Sequence, residues 1–238
     1  SLTDCLARTK AARAKGLTAP LILMGYYNPF LAFGLDALMK ASVESGVSGF
    51  IVVDLPPEEG ADFVGLCAKY KLSYVPLLTP TSTDERIAQL SSVASSFMYC
   101  VSRTGGTGAR SELPTELPGV IARIRKHTSM PLAVGFGIST PAQVAEVAAI
   151  ADGVVVGSAI LKALDVQGSK AKDAAKKVVN GLTPFIRTLT ATTTRKRKLE
   201  ASTAPAVTKK MSLAVPLEAH SGELGGRDTP QATADASG

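Results

Sequence analysis

Histidine and cysteine are scarce in this 238-residue chain, and the scarcity removes whole classes of function. Two histidines, His127 and His220, cannot build a multi-histidine metal centre, so no metal site is expected. The three cysteines, Cys5, Cys67 and Cys100, are odd in number, far apart, and each sits in an apolar helix or strand pattern. That fits reduced packing thiols rather than a disulfide frame or a zinc site. No apolar run reaches the roughly 18 residues of a membrane-spanning helix. Ser1, Leu2, Thr3 and Asp4 lack the charged and then apolar regions of a signal peptide. A soluble, cytoplasmic protein is expected, with no membrane partner. The net charge of +6 is spread out, and residues 191–238 hold seven Lys/Arg against five Asp/Glu. The basic run Arg195, Lys196, Arg197 and Lys198 has no aromatic platform beside it, so a solvated linker is expected rather than a nucleic-acid site.

What the chain has in quantity is apolar sequence and glycine: 45% hydrophobic residues, 19% charged and 21 glycines. That is enough for one large domain or two small ones, and it is not the composition of a disordered chain. From residue 20 to about 160 one unit repeats: a short apolar run, a Gly/Pro/Asp/Thr loop, then an amphipathic helical stretch. Strands are expected at 21–26, 49–53, 74–78, 97–101, 132–134 and 153–156, with helices at 33–45, 58–71, 84–94, 120–127 and 141–149. Asp84 and Pro141, each preceded by a threonine, stand where first-turn residues belong. Such alternation means parallel strands joined by right-handed crossovers. A helix at 2–14 has no strand before it, and a last helix is expected over 165–188. Periodicity alone leaves two architectures open: a complete open six-stranded sheet, or an eight-stranded (β/α)8 barrel short of two units. Past residue 190 the composition shifts to Thr, Ala, Ser and Pro, so the expected division is a folded unit over 1–190 and a disordered linker over 191–238.

In parallel α/β architectures ligands bind where strands end. Three of the strand ends are rich in glycine: Ser102, Arg103, Thr104, Gly105, Gly106, Thr107 and Gly108; Gly135, Phe136, Gly137, Ile138 and Ser139; and Gly157, Ser158, Ala159 and Ile160. Glycine lets backbone approach a ligand, and a short helix starting at Ser158 would turn free N–H groups and a positive dipole end toward an anion. Two such turns in register on consecutive strands favour a phosphate grip over mere tight turns. The chain has no Gly-Lys-Ser/Thr sequence, which argues against a P-loop. Asp54, at another strand end, is a candidate acid or base and equally a cap for the helix that follows. Aromatic rings at Tyr26, Tyr27 and Phe30 either line an apolar pocket or pack beneath a loop. His127 closes a basic helix with Arg123, Arg125 and Lys126, where a cation meets the negative dipole end.

Five segments in order, Leu23-Met24-Gly25-Tyr26-Tyr27-Asn28-Pro29, Asp54-Leu55-Pro56-Pro57-Glu58-Glu59, Ser102-Arg103-Thr104-Gly105-Gly106-Thr107-Gly108, Gly135-Phe136-Gly137-Ile138-Ser139 and Gly157-Ser158-Ala159-Ile160, closely resemble the tryptophan synthase alpha subunit. The resemblance spans about residues 15–190. It implies a TIM (β/α)8 barrel in which the six strands here match strands three to eight and the first two βα units are lacking. It implies retro-aldol cleavage of indole-3-glycerol phosphate to indole and glyceraldehyde 3-phosphate, a lyase step of tryptophan biosynthesis. The alpha part needs no cofactor; pyridoxal phosphate belongs to the beta part. The implied partner is a beta subunit or a fused beta domain, faced by the loops Asn28-Pro29-Phe30 and Asp54-Leu55-Pro56.

Carried over residue by residue, the resemblance implies Tyr26 and Tyr99 beside the indole and glycerol parts of the substrate, with Leu78 and Phe136 on the apolar wall. Gly108, Gly137, Gly157 and Ser158 would hold the phosphate, and Thr107 would lie in the loop that closes over it. The family's catalytic Glu and Asp lie in a Glu-Leu-Gly-x-Pro-x-Ser-Asp-Pro segment that no residue here matches, so no catalytic residue can be named and the chain alone is expected to be inactive. Loss of two strands would also leave exposed edges that invite aggregation. The tail segment at 222–232, with Gly222, Glu223, Leu224, Gly225 and Gly226, faintly resembles the start of a beta domain, as in a fungal-type fused enzyme. Two other readings stand beside the lyase: another phosphate-binding barrel enzyme, and a non-catalytic remnant that docks on a beta partner.

Overall fold

Strands form where the apolar, β-branched runs fall: β1 (Ile22–Gly25), β2 (Gly49–Val52), β3 (Ser73–Val75), β4 (Leu77–Leu78), β5 (Met98–Val101), β6 (Leu132–Gly135) and β7 (Gly153–Val155). Between and around them lie α1 (Leu2–Ala14), α2 (Tyr27–Phe33), α3 (Leu35–Ser45), α4 (Ala61–Lys69), α5 (Asp84–Val93), α6 (Leu117–His127), α7 (Pro141–Ile150) and α8 (Ser158–Gln167). The computed structural model describes residues 1–102, 113–135, 137–167 and 183–189, with the side chains of 164–167 left aside. The expected tail at 191–238, its beta-like segment and most of the helix expected over 165–188 therefore lie outside the described residues; 183–189 is helical.

All pairings are parallel, in the orders β1-β2-β3 and β4-β5-β6-β7. The strand expected at 74–78 is one run of chain but two ladders: β3 pairs with β2, and β4 with β5. Pro76 sits at the changeover. It has no N–H to give either neighbour, while its carbonyl still accepts from Tyr99 N at 3.0 Å. The six strand positions thus form one continuous arc. Among the described residues, β1 and β7 are its two edges.

The helices start and stop where local chemistry directs. Ser1 and Asp4 form a capping box on α1, Thr140 and Gln143 another on α7 with Pro141 in its first turn, and Thr83 caps α5 by accepting from Arg86 N. α3 ends at Gly46, whose φ of 78° is left-handed. Helix α2 is an addition to the sequence reading, which leaves 27–32 as loop. Pro29 falls in its first turn, where a missing N–H costs nothing, and Gly34 at φ 86° separates it from α3. Below the strands, Arg13 of α1 donates to Leu17 O and Ala19 O, each at 2.7 Å, and to Gly46 O at 2.9 Å, stapling the α1–β1 connection to the end of α3.

Two clusters fill the space between strands and helices. One holds Leu38, Phe50, Phe63 and Tyr74; the other is aliphatic, with Leu78, Ile87, Ile124, Leu132 and Val147. A third lines the inner face of the arc: Ile51, Val75, Tyr99, Val101 and Val155, with Met24 and Leu77 packed against it. The period-two alternation of the strands separates inner from outer sets.

Candidate active site at the strand ends

Because every strand runs the same way, the segments after β1, β2, β4, β5, β6 and β7 meet along one rim. Tyr99 stands just inside it, 3% exposed, and burial pushes its phenol up to about 12, so it is neutral at physiological pH. Its fit depends on Gly135 in the neighbouring strand. A Cβ there would lie 2.7 Å from the Tyr99 hydroxyl and 2.6 Å from Val155 Cβ. Gly135 therefore gives the tyrosine its room.

Leu78 does not share that face. It is fully buried in the outer cluster with Ile87 and Leu90, and Leu77 packs with Tyr99 instead. Leu78, expected on an apolar wall, thus faces away from Tyr99, and Leu77 shares the inner face with it. The physical reason is strand alternation: Val75 and Leu77 point one way, and Leu78 the other.

Two of the three aromatic residues after β1 take the packing role that the sequence left open. Phe30 is 3% exposed, its ring centroid 5.5 Å from that of Phe50 and 6.1 Å from that of Phe63, and Tyr27 meets Phe63 edge-on at 5.8 Å. Tyr26 is 62% exposed at the rim. Two rings pack beneath the loop and one stays open.

Asp54 caps a helix, but not the one that follows it. Its Oδ1 accepts from Tyr27 N at 2.7 Å, at the start of α2. The loop carrying Asp54 is held from its other end: Arg86 Nη1 of α5 donates to both Glu58 oxygens, at 2.9 and 3.0 Å. A backbone hydrogen bond at Glu58 and the Arg86 guanidinium keep that carboxyl below its usual range. Between this loop and α5 opens a cleft of about 350 Å³, walled by Leu55, Pro56, Leu77 and Leu90 with Thr79 and Arg86 on its rim.

Past β6, Gly137 has φ 85°, a left-handed conformation that glycine adopts without strain. Past β7, Val156 and Gly157 lead directly into α8 at Ser158, and Gly157 O accepts from Ile160 N at 2.9 Å. The amides of a first helical turn have no partner within the helix, and the dipole makes that end positive. The register Gly135↔Val155 sets β6 and β7 side by side, so both turns leave adjacent strands at the same level. Helix α8 runs ten residues, longer than the short helix expected. Thr107, Gly108 and Phe136 lie outside the described residues.

The remaining candidates are structural. His127 Nε2 lies 3.2 Å from Asp84, and Arg125 pairs with Asp152, which also accepts from Leu132 N at 2.9 Å. All three cysteines are free; burial pushes Cys67 and Cys100 up to about 12, leaving inert thiols. Among the described residues no group of three His, Cys, Asp or Glu could hold a metal ion, and no helix is long and apolar enough to cross a membrane.

A family model for the tryptophan synthase alpha chain matches residues 1–192. The alpha chain of Roseiflexus castenholzii is 45% identical over 164 residues, covering 69% of this chain and 63% of that one. The tryptophan synthase of Saccharomyces cerevisiae is 44% identical over 184 residues, which are 76% of this chain and 26% of the yeast protein. Among solved structures, the tryptophan synthase a2b2 complex of Pyrococcus furiosus superposes with TM-score 0.71 at 30% identity, over 80% of this chain and 74% of that chain. The tryptophan synthase of Mycobacterium tuberculosis gives 0.69 at 32%, over 81% and 68%. The arc of six strand positions is accordingly most of a TIM barrel. The chain spans 63% and 62% of the length of the Roseiflexus castenholzii and Chloroflexus aurantiacus alpha chains. With its strands, its rim and these relatives in agreement, the chain belongs to the tryptophan synthase alpha chain family.

Proposed function

We propose that the chain serves tryptophan biosynthesis by binding indole-3-glycerol phosphate for retro-aldol cleavage to indole and glyceraldehyde 3-phosphate. The observation that carries this reading is the pair of turns on adjacent strands: Gly137 with its positive φ, and Gly157 leading into the first turn of α8. Gly137, Gly157 and Ser158 would grip the ester through backbone amides, with Gly108 as a fourth contact and Thr107 in the loop closing over it. Tyr26 would lie beside the indole, Tyr99 beside the glycerol, and Leu77 and Phe136 would supply the apolar wall.

Cleavage asks for an acid at the indole ring carbon, a base at the glycerol hydroxyl and a carboxylate near the indole nitrogen. No residue of this sequence matches the segment that carries these groups in the family. The chain as written therefore holds the ester without releasing indole. The cleavage itself needs no cofactor; pyridoxal phosphate would serve a beta partner that receives the indole. That partner would meet the loops Asn28-Pro29-Phe30 and Asp54-Leu55-Pro56, and the setting would be the cytoplasm.

A titration with glycerol 3-phosphate tests the grip. Saturable binding is expected, lost in Gly157→Leu; binding indifferent to that change contradicts the reading. Indole released from indole-3-glycerol phosphate by the purified chain would contradict the inactivity.

A further inference from the structure

We propose that Asp54 is a positioning residue: from the end of β2 it holds the first turn of α2 and so sets where Tyr26 stands at the mouth of the site. Tyr26 occupies the N-cap position of α2 in an extended conformation, φ −82° and ψ 155°, and makes no side-chain cap bond of its own. The start of the helix is held instead by Asp54 Oδ1, which accepts from Tyr27 N at 2.7 Å across 27 residues of sequence. A carboxylate at the positive end of a helix gives a charge-assisted bond, stronger than a neutral one.

The surroundings make that bond decisive for direction. Val53 N donates to Gly25 O at 3.0 Å, so β1 and β2 stay in register up to the rim. Below it, Phe30 fills the space beside Gly25, where a Cβ would lie 3.1 Å from its ring, and Tyr27 rests on Phe63. Asp54 itself stands on a loop clasped to α5 through Glu58 and Arg86. Helix α2 is thus pinned below by rings and at its start by Asp54, and Tyr26 is the aromatic residue left outside. Asp54 acts through that geometry and takes no proton-transfer role.

This role rests on the reading of Tyr26 as an indole neighbour, so the test carries two readouts on the full chain. One is hydrogen exchange at the Tyr27 amide; the other is binding of an indole alkyl phosphate against glycerol 3-phosphate, which lacks the ring. In Asp54→Ala, exchange at Tyr27 should accelerate at least about tenfold and the indole ester should bind about tenfold more weakly, with glycerol 3-phosphate unaffected. Asp54→Asn keeps an oxygen acceptor and should restore both to within about threefold. In a Tyr26→Ala background, Asp54→Ala should cost the indole ester nothing more. Unchanged exchange, equal losses for both esters, or the same loss without Tyr26 would each overturn the role. A wild-type chain that binds neither ester overturns the functional reading and this role with it; Asp54-dependent exchange at Tyr27 would then locate the failure in the site and not in the hydrogen bond.

Discussion

The half of the molecule built on β1, β2 and β3 is packed with rings, and the half built on β4 to β7 with aliphatic chains. In the first, Phe63 meets Tyr27, Phe30, Phe50 and Tyr74 at centroid distances between 5.5 and 6.1 Å. In the second, Ile87, Ile124, Leu132, Val147 and their neighbours share the load among many small contacts. The two kinds of packing support two different rims. The aromatic half anchors Asp54, Tyr26 and the loops expected to meet a partner, and few large groups fix them. The aliphatic half sets two glycine turns on adjacent strands, which requires close, even strand packing and room at Gly135.

The largest expected effect is therefore in the aromatic half. Phe63→Ala removes a fully buried ring shared by four others and should lower unfolding free energy by about 4 kcal/mol, read by denaturant titration. Next comes Gly135→Ala, whose methyl would meet Val155 and the Tyr99 hydroxyl; about 2 kcal/mol of stability should go, together with part of the affinity for an indole ester. Ile124→Val, at a fully buried position of the aliphatic half, should cost only about 1 kcal/mol. A loss there as large as that of Phe63→Ala would erase the contrast.

The smallest effect is electrostatic. Lys40 and the Tyr70 hydroxyl, both hydrogen-bonded to Asp36, hold its carboxyl down at about 2. Its folded value lies below its unfolded one, so the contribution is present at neutral pH and is lost as pH falls from about 4 toward about 2. Acid unfolding of Asp36→Asn should show a weaker pH dependence in that window, and the difference should shrink at high salt.

Much of this was legible from the sequence, and the failures share a cause. All six strand positions were readable because buried parallel strands are short apolar runs between glycine and proline, and Thr83 and Thr140 announced their helices. Helix α2 was hidden because Asn28 and Pro29 look like a loop until Pro29 is placed in a first turn. The changeover at Pro76 depends on which neighbour each half of one strand pairs with, and no local pattern encodes that. The sequence leaves Asp54 open between an acid or base and a cap for the helix that follows; the helix it caps lies upstream, where spacing does not point. The Glu58–Arg86 clasp joins residues 28 apart and was equally invisible.

Backbone amides at the tips of β6 and β7 are proposed to grip the phosphate of the ester. Amide resonances followed during a phosphate titration test it most directly. Those of Gly137, Gly157 and Ser158 should shift together and saturate, while those of Ile22 and Gly49 at the opposite strand ends stay still; shifts that spare these three or never saturate would contradict it.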